Sequence, residues 1–161
     1  MSVGISGWVE VRWLPAGYRP WHPAPPWTAV ITVGGILDQN SDMFGSLFGV
    51  RNVSRFRPLA PDRGFPSDPS PELAEDMAQL RPFLSSGEIG HPSWLSWTEI
   101  DRIDWDEPAE TTEPVGLASV DHIATRREAL SEPWILLFDL MRRLAQDYGE
   151  DNVRLAVWFS G

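Results

Sequence analysis

Arg51, Arg55 and Arg57 stand in a stretch with no acidic residue between Asp42 and Asp62, and Arg63 follows at once. The chain as a whole carries a formal net charge of −10, so this basic island is a local exception. A guanidinium presents a planar fork of N–H donors that matches carboxylate or phosphate oxygens two at a time. The island therefore predicts an anion pocket formed by Arg51, Arg63 and neighbouring backbone N–H groups, with Gly64 in the same segment. Asn40, Asn52 and Asp68 would select polar groups of the ligand, and His91 and Ser93 would donate hydrogen bonds. A base or sugar would stack on Phe44, Trp94 or a guanidinium plane. The arginines also have a structural alternative, in which Arg51 and Arg63 pin irregular backbone by bonding carbonyls and acids.

Other chemistry is less well provided for. His22, His91 and His122 form no paired metal-ligand spacing, so no metal site is expected. His91-Pro-Ser93 matches one H-x-S half of the two-histidine phosphoesterases, but neither His22 nor His122 supplies the second. If the chain were an enzyme, His91 would be its acid or base. No G-x-S-x-G elbow presents a serine nucleophile. Lysine and cysteine are both absent and all 13 basic residues are Arg, which excludes Schiff bases, a Walker-type lysine, disulfides and thiolate chemistry. No cofactor is expected.

Composition bounds the remaining classes. The 161 residues fit one domain, 1–161, with 42% hydrophobic residues and nine Trp to build a core. No apolar run approaches the length of a membrane span, and the first residues lack a signal-peptide pattern. A cytoplasmic location is the default expectation. A pI near 4.6 argues against general nucleic-acid binding, which requires many phosphates to be neutralised. From Glu99 to Glu113 there are seven acids and one Arg. That run reads as a solvated loop, or as a surface that engages a basic protein partner.

The elements that must hold these residues follow from periodicity. Residues 7–13 alternate, with Val9, Val11 and Trp13 on one face and Trp8, Glu10 and Arg12 on the other, as in a half-buried strand. Five prolines make 14–26 a loop, and the β-branched run 27–33 a second strand. Asp42 or Ser41 would cap a short helix through Val50. Ser70, with Pro71 behind it, starts a helix that Pro82 follows. Residues 85–94 read as a loop, and Ser96 with Glu99 makes a capping box for a helix near 97–104. Ser131 would cap a long helix to Tyr148 with Trp134, Leu137, Leu140, Met141, Leu144 and Tyr148 on one face. A strand at 153–159 closes the pattern. The whole predicts an α+β domain whose two terminal strands share a mainly antiparallel sheet, packed by the helix at 131–148 and by shorter helices.

The same residues resemble a group of uncharacterised small proteins frequent in bacteriophage and prophage genomes. Their pattern runs D-R-N-Y-x-L-F-x-x-L-x-x-V-R-N, P-I-x-x-P-R-G-x-P-x-D-x-S, H-S-x-S-W-L-T-x-x-E-L and a closing strand like V-R-I-V-F-W-F-D. The corresponding stretches here are DQNSDMFGSLFGVRN, PLAPDRGFPSDPS, GHPSWLSWTEI and NVRLAVWFSG. Gln39, Ser41 and Ser160 depart from the pattern, at its Arg, its Tyr and its closing acid. The resemblance implies a phage-associated origin and assigns no reaction. The leading expectation is a non-catalytic binder of a small anionic ligand, a nucleotide or cyclic-nucleotide signal, sequestered in counter-defence. The alternatives are an acidic inhibitor or immunity-type protein with a basic partner, and a cyclic-nucleotide phosphodiesterase. A homo-oligomer is compatible with each.

Overall fold

Strand β1 (Gly4–Val11) sets Val9 and Val11 on one side and Trp8 and Glu10 on the other. In the computed structural model, which describes residues 2–110 and 125–161, both sides are covered. The half-buried reading of this strand is thus corrected: Glu10 is 0% exposed. The reason is tertiary, because helices lie over both faces of the sheet.

The sheet has four strands in the order β2-β1-β4-β3, all antiparallel. β4 (Val153–Ser160) sits in the middle, with every residue from Val153 to Phe159 buried. It pairs with β1 from Gly4↔Ser160 to Val11↔Val153, and with β3 (Ile89–Ser96) on its other side. β2 (Thr28–Thr32) is the outer neighbour of β1. Both terminal strands therefore share one antiparallel sheet, in an α+β arrangement. The segment 85–94, expected as a loop, instead divides between a helix end and β3.

The larger core lies on the sheet face carrying Val9, Val11, Leu95, Leu155, Val157 and Phe159. It is closed by α1 (Ser41–Phe48) and α5 (Glu132–Tyr148), which bring Phe44, Phe48, Trp134, Leu137 and Met141. Phe44 meets Phe159 edge-on at 5.1 Å, a favoured aromatic geometry. On the opposite face Ala156 and Trp158 meet Leu73 of α2 (Pro71–Ser86), with Trp8, Phe65, Met77 and Trp94 around them.

Local details depart from expectation for identifiable reasons. α1 is capped by Asn40, not by Asp42 or Ser41: its Oδ1 accepts from the Met43 N–H at 3.0 Å. Its Nδ2 meanwhile donates to the Ala129 carbonyl at 2.7 Å, so a distant segment fixes the cap. Gly45 in α1 is explained by close approach: a Cβ there would lie 2.8 Å from the Asn52 Cα. α2 runs past Leu80 and through Pro82 to Ser86, losing only the bond Pro82 would have made to Ala78, one turn from the end. α3 (Trp97–Asp101) has the expected capping box but stops before residue 104. A single short turn, α4 (Arg126–Ala129), leads into α5.

Ser131 stands at the N-cap of α5 without a capping bond: its hydroxyl oxygen accepts from Asn40 Nδ2 and its O–H donates to Asp38. The buried stripe of α5 is Trp134, Leu137, Phe138, Met141 and Ala145. Leu140 was expected on that stripe and is 36% exposed. It lies about 100° around the helix from Met141, which takes the inward position. No helix among the described residues is long and apolar enough to cross a membrane.

Candidate functional site

A bulge in β3 creates the most suggestive cleft. Pairing with β4 shifts register between Gly90 and Ser93, so His91 and Pro92 lie outside the ladder. Pro92 has no N–H to contribute, and an edge strand tolerates it there. His91 adopts φ 54°, although a residue before proline ordinarily stays extended. Bulges re-aim side chains, and a non-glycine residue held at positive φ marks a place where the surroundings enforce the backbone.

His91 Nδ1 lies 2.8 Å from Asp62 Oδ1. The ionised carboxylate only accepts, so Nδ1 carries the proton and Nε2 is the free ring nitrogen. Asp62 and Arg51 also sit at positive φ, 47° and 49°. Arg51 comes two residues after Gly49, which ends α1 in the left-handed conformation. Arg51 and His91 line one cleft of about 210 Å³ with Val50, Glu88, Phe159 and Ser160. The Glu88 carboxylate accepts from the Ser86 hydroxyl at 3.0 Å. Ser160, at the place of the closing acid in the phage-type pattern, lines this cleft as well.

The other residues expected at an anion site are employed differently. Arg63 does not join Arg51 but is clamped in place. It donates to both carboxylate oxygens of Glu99, at 2.7 and 3.0 Å, and to the Leu59 and Trp94 carbonyls. Its guanidinium also lies 5.2 Å from the centre of the Trp94 ring. Gly64, at φ 82°, donates its N–H to the Pro92 carbonyl. Ser93 is buried and donates to the Ala60 carbonyl. Phe44 is sealed in the core and offers no face to a base. Asn40 serves as a cap, and Asn52 closes both ends of a turn by bonding the Phe56 N–H and carbonyl. His22 lies in the 14–26 loop, where its Nδ1 accepts from the Arg19 N–H. His122 falls outside the described residues, as does the acidic run beyond Glu110. Among the described residues no group of three His, Asp or Glu could hold a metal ion.

Asp68 and Trp94 line a second cavity of about 310 Å³, with Trp27, Ser96 and Arg154. Here Arg154 donates to Glu10 at 2.7 Å and to Asp68 at 2.8 Å. The guanidinium groups of Arg154 and Arg12 both lie over the Trp27 ring, 3.9 and 4.7 Å from its centre. Its indole N–H donates to the other Asp68 oxygen. Glu10, Arg154 and Arg126 are buried and charged, and none of the three belongs to the basic island at 51–63. A charged residue within an otherwise apolar strand, as Arg154 is in β4, was the available signal.

The carboxylates of Glu99 and Asp68 carry a pH signature. Burial pushes the Glu99 carboxyl up, but the Arg63 hydrogen bonds, the Ser96 N–H and the Arg63 charge together hold it below its ordinary value. Burial likewise raises Asp68, and the Arg154 and Trp27 bonds outweigh it. A carboxyl lowered by folding stabilises the fold above its unfolded pKa and ceases to do so as pH falls through its folded pKa. Stability should therefore hold near neutrality and fall below about pH 4.3, the ordinary glutamate value. Urea unfolding across that range should show a shallower acid loss in Glu99→Gln. An unchanged profile would remove Glu99 as a contributor.

No family model, curated protein or solved structure matches this chain.

Proposed function

We propose that the chain binds a small anionic ligand through the cleft of Arg51 and His91. One observation carries this reading. The Arg51 guanidinium has no hydrogen-bond or ion-pair partner among the described residues, and it lines the same cleft as His91. The other predicted clamp, Arg63, is fully occupied by Glu99 and carbonyls. About 210 Å³ is less than the roughly 300–1,000 Å³ usual for a site enclosing a whole small molecule. The cleft suits a phosphate or carboxylate head. A nucleotide or cyclic nucleotide, the preferred ligand class, would keep its base and sugar outside. In the phage setting that the sequence resemblance implies, retention without turnover would sequester such a signal.

The test is calorimetric titration of a nucleotide panel, with inorganic phosphate alongside. Arg51→Ala should weaken binding about tenfold to a hundredfold, the worth of a charge-assisted hydrogen bond. Its thermal midpoint should stay put, because the side chain is exposed and unpaired. Raised salt should weaken binding as well, since the cleft is open. Equal affinity in wild type and Arg51→Ala would reject the site.

The Asp62–His91 contact favours a second reading, hydrolysis of a phosphodiester. A carboxylate on Nδ1 orients the ring and leaves Nε2 to take or give a proton. Product that accumulates with wild type and disappears with His91→Ala would select this reading. Tight retention of intact ligand would select sequestration.

A further inference from the structure

We propose that the outer face of α5 is a self-association surface, on which a second copy of this chain lays its own α5 antiparallel. Three large aliphatic side chains of this helix are open to solvent: Ile135 at 40%, Leu136 at 51% and Leu140 at 36%. The inward stripe of Trp134, Leu137, Phe138 and Met141 supplies the contact with the core, and Leu136 and Leu140 stand outside it with no buried role among the described residues.

Their charged neighbours point to the occupant. At about 3.6 residues per turn, Glu132, Leu136, Leu140 and Arg143 fall on one stripe of the helix. The stripe has an acid at its N-terminal end, a base at its C-terminal end and two leucines between. The pair Glu132 and Arg143 and the pair Leu136 and Leu140 are both centred beside Phe138. A two-fold axis there sets Glu132 of each copy opposite Arg143 of the other, and Leu136 opposite Leu140. Such an isologous contact repeats each favourable pair twice. A parallel arrangement would set like charges together at both ends and is disfavoured.

Both end charges are available. Glu132 has no ion-pair partner among the described residues. Arg143 makes only exposed local contacts, 3.3 Å to Gln146 and 3.9 Å to Asp147, which contribute little. The adjacent Asp139 is held by Arg142 at 2.6 Å, so it does not leave an unpaired acid facing the second copy. One helix pair buries little surface, which places this dimer among weak, concentration-dependent associations.

Sedimentation velocity from low micromolar to near-millimolar protein tests the proposal. The wild-type mass should rise from 18.1 kDa towards twice that value. Leu136→Glu, checked by circular dichroism, should stay monomeric throughout. Glu132→Arg and Arg143→Glu should each weaken association about threefold to tenfold, and the double reversal should restore it. The restoration keeps the test decisive if Leu136→Glu does not fold. A wild type that stays at 18.1 kDa overturns the proposal. So does a folded Leu136→Glu that dimerises as wild type, or a double reversal no better than the single ones.

Discussion

Replacing Glu10 with alanine is expected to remove about 3–5 kcal/mol of stability, the usual result of breaking one side of a buried ion pair. Glu10 is 0% exposed. Its Oε1 accepts from Arg154 Nε at 2.7 Å, and its Oε2 from the Ser70 N–H, also at 2.7 Å. Alanine would leave a buried guanidinium N–H and a buried backbone N–H without an acceptor. Ser70 is the N-cap of α2, so the loss would reach the helix covering that face of the sheet. Chemical unfolding followed by tryptophan fluorescence measures the effect. The double variant Glu10→Leu, Arg154→Met should lose less than the sum of its single changes, with a coupling of about 0.5–3 kcal/mol. A loss for Glu10→Ala below about 1 kcal/mol, the scale of an ordinary hydrogen bond, would show that the pair is solvated.

Arg126→Ala should cost a similar amount, about 3–5 kcal/mol, for a related reason. Arg126 is wholly buried and ties four segments together. It donates to the Ser46 carbonyl and hydroxyl in α1, to the Arg57 carbonyl in the arginine-rich loop and to Glu107, and it lies over the Phe56 ring. Losing it strands several buried acceptors at once. Hydrogen exchange should quicken most at residues 51–58, the loop that carries Arg51. Glu107→Gln should cost far less, because that side chain is 24% exposed and water can replace its contact. Equal losses for the two variants would mean that the Glu107 pair, and not the carbonyl contacts, holds the loop.

Arg154 and Arg126 bind partners 144 and 80 residues away, distances over which local sequence pattern carries nothing. Both terminal strands, the long α5, the Ser70 cap and the Ser96–Glu99 box were legible, because each depends on pattern within a few residues. Glu10 looked like a solvent-facing position, since alternation along one strand reports a polar side without reporting what lies over it. The covering helix α2 starts 61 residues later. The cap of α1 falls to Asn40 and not to Ser41 or Asp42, and the Ala129 carbonyl that holds the Asn40 side chain is 89 residues away. Leu140 was misplaced because an apolar residue on the shoulder of a helical stripe has the same periodicity as one inside it. At the candidate site, Arg51 and His91 were both recognisable as residue types. Their meeting depends on the bulge after Gly90, for which Gly-His-Pro within a strand-length run was the only local hint. The diversion of Arg63 to Glu99 spans 36 residues and has no local trace.

The position of β4 has a consequence for the order of assembly. This strand forms the centre of the sheet, yet it follows β1, β2 and β3 in the chain. During synthesis β1 and β2 can meet as soon as both have emerged, but β3 has no neighbour until the last strand arrives. Until then β1 and β3 each present an open row of backbone N–H and C=O groups, the template for pairing between chains. Closing the sheet brings Gly4 against Ser160, nearly the full length of the chain apart. Such non-local pairing folds slowly compared with helical bundles. Aggregation should therefore compete most strongly just before β4 becomes available, and a chain released without β4 should fail as a whole rather than lose one edge.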